Sequence, residues 1–185
     1  MGGWAGRAGQ VGRRGYTLIE LVVVVGIIIV MTLAALPFFT SMMKSSRLDA
    51  ATRQLAGDVR EARSKATQTG WQYQIKGFNV GGGSSYKNQY RMLGRSSSGV
   101  AWPSDTGPNI QSSTQLAGPW INLNQLYSGV RLNSSIAGTS FYVSFDSRGV
   151  AFEWSPTSDP WMTLTQQSSG SRYLRITSAG SVKIQ

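Results

Sequence analysis

The sequence predicts an α+β fold in which one long N-terminal helix, membrane-grade in its first half and amphipathic in its second, packs on an antiparallel, β-sandwich-like head. Three observations predict it. From Ile19 to Phe39 no residue is charged except Glu20; Leu48, Ala51, Leu55, Val59, Ala62 and Ala66 recur at steps of three and four; and after Gly70 apolar residues recur at alternate positions. On this basis residues 1–15 form a basic leading segment, 16–40 the apolar helix half, 41–70 the amphipathic half and 71–185 a β-rich head.

Composition narrows the chemistry before any motif does. With 185 residues the chain suits one globular domain plus an appendage, and a second independent core is not expected. It has no Cys and no His, which removes disulfides, thiolate metal sites and the commonest general base. Its formal charge is +10; three of the 18 basic residues, Arg7, Arg13 and Arg14, precede Gly15, and the remainder still outnumber the 8 acidic ones. A basic balance suits acidic partners, but it equally serves solubility.

Met1 to Gly15 is Gly-rich and basic and is not expected to enter the fold. The apolar stretch that follows reaches roughly 31 Å at about 1.5 Å per residue, enough for a hydrocarbon core of about 30 Å. A single transmembrane helix is expected. The competing reading is a secretory signal peptide with its apolar region at Leu21 to Met31 and cleavage near Ala34-Ala35. Glu20 and the continuing helical pattern count against it. A charge at mid-bilayer costs on the order of 2.5–3.5 kcal/mol, so Glu20 is a functional residue by default. Pro37 removes one backbone hydrogen bond and predicts a kink or local unwinding.

Beyond Pro37 the apolar face Leu48 to Ala66 needs a cover, and Asp49, Arg53, Asp58, Arg60, Glu61, Arg63 and Lys65 occupy other faces. Thr69-Gly70 ends the helix, which is expected to run from Thr17 to Gln68. Trp71, Tyr73 and Ile75 predict a strand, Tyr86 to Leu93 a second, with Gly81 to Ser85 between them. Residues 94–118, rich in Ser, Gly, Asn and Pro, read as a long loop pinned by Trp102 and Trp120. Phe141, Val143 and Phe145, a turn at Asp146 to Gly149, and Val150, Phe152 and Trp154 predict a hairpin. Tyr173 to Thr177, a turn at Ser178 to Ser181, and Val182 to Ile184 predict another, with further strands at Gly129 to Leu132 and Trp161 to Leu164. An antiparallel sheet with one apolar face, and a helix with one, satisfy each other.

The run Arg13-Arg14-Gly15-Tyr16-Thr17-Leu18-Ile19-Glu20 resembles the class III signal of type IV prepilins and type II secretion pseudopilins. The resemblance implies that prepilin peptidase cuts after Gly15, that the new N-terminus at Tyr16 is methylated, and that Glu20 pairs in assembly with the N-terminal amine of a neighbouring subunit. Pro37 stands at the spacing from Glu20 at which pilins often carry a proline. Phe141 to Phe152 and Arg172 to Ile184 resemble the C-terminal domain of the GspH/FimT family; residues 77–129 resemble nothing identified. Lys and Arg counts flanking the apolar stretch do not settle its orientation, and the resemblance alone puts the head outside, in the periplasm.

What the resemblance implies is an H-type minor pseudopilin of a type II secretion system, held in the inner membrane and then assembled near the tip of a pseudopilus. Its partners are then prepilin peptidase, other pseudopilins or pilins through the N-terminal helix, and the membrane. Two alternatives are a FimT/FimU-like minor pilin of a type IV or competence pilus, and a membrane-anchored binding domain that never polymerises. DNA is a partner only under the second of these three readings, with Arg172, Arg175 and Lys183 as candidate contacts. Where DNA-binding members carry Gly-Arg-x-Arg, this chain has Gly180-Ser181-Val182-Lys183, so half of the phosphate clamp is missing. No cofactor, metal or catalytic residue is expected: Asp105 and Asp146 lack the spacing of a Ca²⁺ loop and read as turn aspartates.

Overall fold

The computed structural model describes residues 15–79, 85–134, 140–155, 161–166 and 170–185. It divides after Thr40 into two units. The first holds the start of helix α1 (Leu18–Thr69). Every residue from Gly15 to Met43 is exposed within the chain, as an apolar helix with no partner of its own must be. The helix runs unbroken through Pro37, so of the kink or local unwinding expected there the unwinding does not occur. There the Thr40 hydroxyl donates to the Pro37 carbonyl at 2.9 Å.

The second unit, from Ser41 onward, is the head with the outer half of α1 in it. Leu48, Ala51, Thr52, Leu55, Ala56, Val59, Ala62 and Ala66 are its buried stripe, the face that the spacing predicts. The helix stops at Gly70, whose φ of 73° suits glycine, and Gly70 N–H closes on the Ala66 carbonyl at 3.0 Å.

The strands follow as β1 (Gln72–Phe78), β2 (Gln89–Arg95), β3 (Ile110–Gln111), β4 (Gln115–Ala117) and β5 (Ile121–Asn122). A one-turn helix α2 (Leu123–Leu126) is capped by the Asn122 side chain. Then come β6 (Val130–Ser134), β7 (Ser140–Phe145), β8 (Ala151–Ser155), β9 (Trp161–Gln166), β10 (Gly170–Ile176) and β11 (Val182–Ile184). Among the described residues, seven strands make one sheet in the order β3-β4-β2-β1-β7-β8, with β5 also on β2, and four make a second in the order β11-β10-β9-β6. All pairings are antiparallel. Tyr73, Ile75, Tyr90, Phe141, Val143 and Phe145 of the large sheet and Val130, Leu132, Leu164, Leu174 and Ile176 of the small one join the helix stripe in one core.

Three expectations are corrected. The second strand starts at Gln89, not Tyr86, because Asn88 sits in the left-handed region at φ 60° and breaks the extended run. Asn88 instead joins the sheets: its amide donates to the Val130 carbonyl at 2.8 Å and its side-chain oxygen accepts from Leu132 N–H at 2.5 Å. Residues 94–118 are not all loop, since β3 and β4 lie within them and β4 pairs with β2. In the first hairpin Phe152 and Val150 face solvent and Ala151 is buried, reversing the expected alternation; a register shift between Ser144 and Phe145 pairs Phe145 with Ala151 and Val143 with Trp154. The expected connection at Gly81 to Ser85 lies almost wholly outside the described residues.

The two hairpin turns converge on the helix. Arg63 Nε donates to the Gly149 carbonyl at 3.0 Å, and Arg60 reaches the Val182 carbonyl at 3.5 Å. Gly180, at φ 74°, lies so close that a Cβ there would collide with the same Gly149 carbonyl and press on the Arg63 side chain.

Candidate functional site

The N-terminal residues form the first candidate. Thr17 opens α1: its hydroxyl accepts from the Glu20 N–H at 3.3 Å and its carbonyl from Leu21 N–H at 3.2 Å. This places Glu20 in the first turn, where a carboxylate faces the positive end of the helix dipole. Gly15 and Tyr16 precede the helix in exposed chain outside any helix or strand. A peptide bond in that state is open to a protease, and Tyr16, Glu20 and the apolar surface from Leu21 to Phe39 are all presented outward. Among the described residues no cation pairs with Glu20.

The basic candidates of the last hairpin do not form one group. Strand β10 alternates, with Leu174 and Ile176 buried and Tyr173 and Arg175 exposed. Arg172 shares the inward parity, and its Nε pairs with Asp49 of α1 at 2.8 Å. Arg175 and Lys183 are cross-strand partners on the opposite face. Arg172 therefore ties hairpin to helix, and only Arg175 and Lys183 share the outward face.

Asp146 behaves as a turn residue. Its carboxylate accepts from the N–H groups of Arg148 at 3.0 Å and Val150 at 2.9 Å and pairs with the Arg148 guanidinium. Burial would raise its pKa, but these hydrogen bonds outweigh burial and hold it below the usual carboxylate range. Asp105 pairs with Lys76 at 2.5 Å. Among the described residues no three His, Cys, Asp or Glu side chains gather as a metal would require.

Sequence reading missed a polar cluster on the sheet face turned away from the core. There β1 and β2 carry Gln74, Lys76, Arg91, Leu93 and Arg95, and the segment from Ser96 to Asn109 folds over them. Four consecutive residues of that segment are held one by one. Arg91 donates to the carbonyls of Ser104 and Gly107, each at 2.8 Å, Lys76 takes the Asp105 carboxylate, and the Tyr86 hydroxyl donates to the Thr106 carbonyl at 2.9 Å. Arg95 lies over Trp102 at 4.4 Å from the ring centroid and donates to the Val100 carbonyl at 3.2 Å. Trp120 stacks on Tyr86 with centroids 4.4 Å apart. Both tryptophans thus pin the segment as expected. Arg91 is wholly buried, and burial pulls its pKa below the ordinary value against the nearby Tyr86 and Asp105. The available signal was Lys76 and Arg91 in two adjacent strands, cations too many for a plain solvent face.

A second missed contact joins helix to sheet: the Tyr90 hydroxyl donates to the Asp58 carboxylate. Next to it Tyr127 donates to Gln54 at 2.7 Å. Burial raises the pKa of both Asp58 and Tyr90.

No family model and no curated protein matches the chain. Two crystal structures of the type IV minor pilin FimU of Pseudomonas aeruginosa, strain PAO1, are similar to it. One has a TM-score of 0.46 at 14% identity, covering 76% of this chain and 89% of that one. The other has 0.45 at 15% identity, covering 75% and 92%. Similarity at this level assigns no residue.

Proposed function

We propose that the chain is a filament subunit of the pilin class, an H-type minor pseudopilin of a type II secretion system that enters the pseudopilus near its tip. The observation that carries this is the division of α1. Its outer half buries Leu48 to Ala66 in the chain's own head, whereas Ile19 to Phe39 remains exposed and apolar, with Glu20 as its only charge. Such a surface calls for lipid first and other helices afterwards.

On this reading prepilin peptidase cuts after Gly15, Tyr16 becomes the methylated N-terminus, and the head stands in the periplasm. A carboxylate buried in a bundle of helices needs a cation, and the amine freed at Tyr16 of a neighbouring subunit supplies one to Glu20. Type II secretion is preferred to a type IV pilus because the chain has no Cys and its last hairpin keeps only half of the basic motif. The subunit works by assembly, not catalysis.

The test is incorporation in cells. The Glu20→Ala chain is expected to insert and to be cut like the parent, seen as the same loss of mass, yet to be absent from sheared filaments. Incorporation at the parent's level would sink the proposal. A gel shift of the head with duplex DNA at low salt bears on the pilus alternative; no retardation is expected.

A further inference from the structure

The segment clamped by Lys76, Tyr86 and Arg91 roofs a pocket of about 320 Å³ on the outer face of the large sheet. Two cross-strand rows make its floor. Gln74 and Glu153 stand either side of Ser144 in one row, and Lys76 pairs with Tyr142 in the next. Trp102 and Asp105 close it from the segment above. Because Ser104 to Gly107 are held individually, the roof is in place without a ligand, and little ordering entropy remains to oppose binding.

The lining is mixed in sign and nearly balanced. Lys76 and Asp105 neutralise each other, and Arg95 occupies one face of Trp102. Glu153 is half-buried and makes no hydrogen bond or ion pair among the described residues. A carboxylate without a donor, beside an ammonium, an amide and two aromatic rings, suits a ligand that offers hydroxyl donors, accepts hydrogen bonds itself and has an apolar face. A cationic ligand would meet Lys76, and an anionic one would meet Glu153. We propose that this pocket binds an uncharged sugar ring, its C–H face on Trp102 and Tyr142 and its hydroxyls on Glu153, Asp105 and Lys76. The volume is at the small end of ligand pockets, which run from about 300 to 1,000 Å³, and fits one ring. The inference does not depend on filament assembly.

The experiment is ligand-observed saturation-transfer NMR on the full chain in lipid nanodiscs free of glycolipid and glycoside detergent. Glucose, galactose and N-acetylglucosamine are titrated singly, with choline and inorganic phosphate as charged probes. At least one sugar is expected to saturate with a Kd in the millimolar range. Trp102→Ala and the near-isosteric Glu153→Gln should each weaken it about tenfold or more, as loss of a stacking face or a charge-assisted hydrogen bond does. Tyr173→Ala, an exposed aromatic on the other sheet, should leave it unchanged. Glu153→Gln keeps the pocket's shape, so its result stands even if Trp102→Ala loosens the roof. Failure of all three sugars to saturate, saturation by choline or phosphate alone, or sugar binding unchanged in Glu153→Gln would each overturn the proposal.

Discussion

The Arg91 guanidinium lies over the Trp120 ring, its carbon 4.9 Å from the indole centroid, in a setting that leaves the arginine no exposed surface. The two η nitrogens hold the carbonyls of Ser104 and Gly107, so this one side chain ties both ends of the four-residue stretch that Lys76 and Tyr86 hold between them. Arg91→Ala should cost about 2–4 kcal/mol, the loss of two charge-assisted hydrogen bonds offset in part by water reaching the freed carbonyls. Arg91→Lys should recover under half of that, because one ammonium cannot span both carbonyls as a planar fork does. Denaturant midpoints measure both, and an unchanged midpoint in Arg91→Ala would show that the segment holds without its clamp.

Gly180 and Gly70 have nearly the same φ, 74° and 73°, but different surroundings. At Gly70 a Cβ meets nothing within 4 Å, whereas at Gly180 it collides with the Gly149 carbonyl and the Arg63 side chain. Gly70→Ala should therefore cost about 1 kcal/mol from backbone strain alone. Gly180→Ala should cost about 2–4 kcal/mol, since it also forces apart the two turns that meet at Arg63. Equal losses in equilibrium unfolding would mean that the turns do not pack as described.

What could be read in the sequence follows from how local the governing physics is. The helix stripe Leu48 to Ala66, its stop at Gly70 and the strand pairs of both hairpins depend on periodicity and turn chemistry within a few residues, and all stand where expected. The start of β2 depends on Asn88 being bound to Val130 and Leu132, partners more than forty residues away, which no local pattern reveals. Likewise β3 and β4 are two and three residues long and exist because β2 offers an edge. At the candidate site Glu20 stood out because one charge breaks an apolar run. Lys76, Asp105 and Glu153 did not, because each is ordinary in its own strand or loop and only the fold brings them together.

The bulge in the first hairpin gives the sharpest contrast between pattern and fold. Alternation alone puts Phe152 in the core, yet it is 41% exposed, while Phe141 on the neighbouring strand is 1% exposed. The extra residue on β8 turns Phe152 outward and restores Trp154 to the core side. Phe152→Ala should then cost under about 1 kcal/mol, and Phe141→Ala about 3–5 kcal/mol. Comparable losses in thermal or denaturant unfolding would contradict the register.

Asp58 and Asp146 should shape the pH dependence of stability in opposite directions. Burial raises the Asp58 pKa, with Glu61 adding to it and the Tyr90 hydrogen bond opposing. A carboxyl raised above its unfolded value of about 3.9 binds its proton more tightly in the folded state. Its contribution is therefore fully present below that value and is lost as pH rises through the folded pKa. For Asp146, held low by the turn's donors, the contribution is present above the unfolded value and is lost as pH falls through the folded one. Asp58→Asn keeps an acceptor for Tyr90 but removes the charge, so its Tm relative to the parent should rise between pH 4 and 7, on the order of 1–2 °C given the partial exposure of the group. Asp146→Asn should instead gain Tm relative to the parent as pH falls below about 4, where the parent loses this contribution. A pH-independent offset for Asp58→Asn would show that its carboxylate ionises as freely in the fold as outside it.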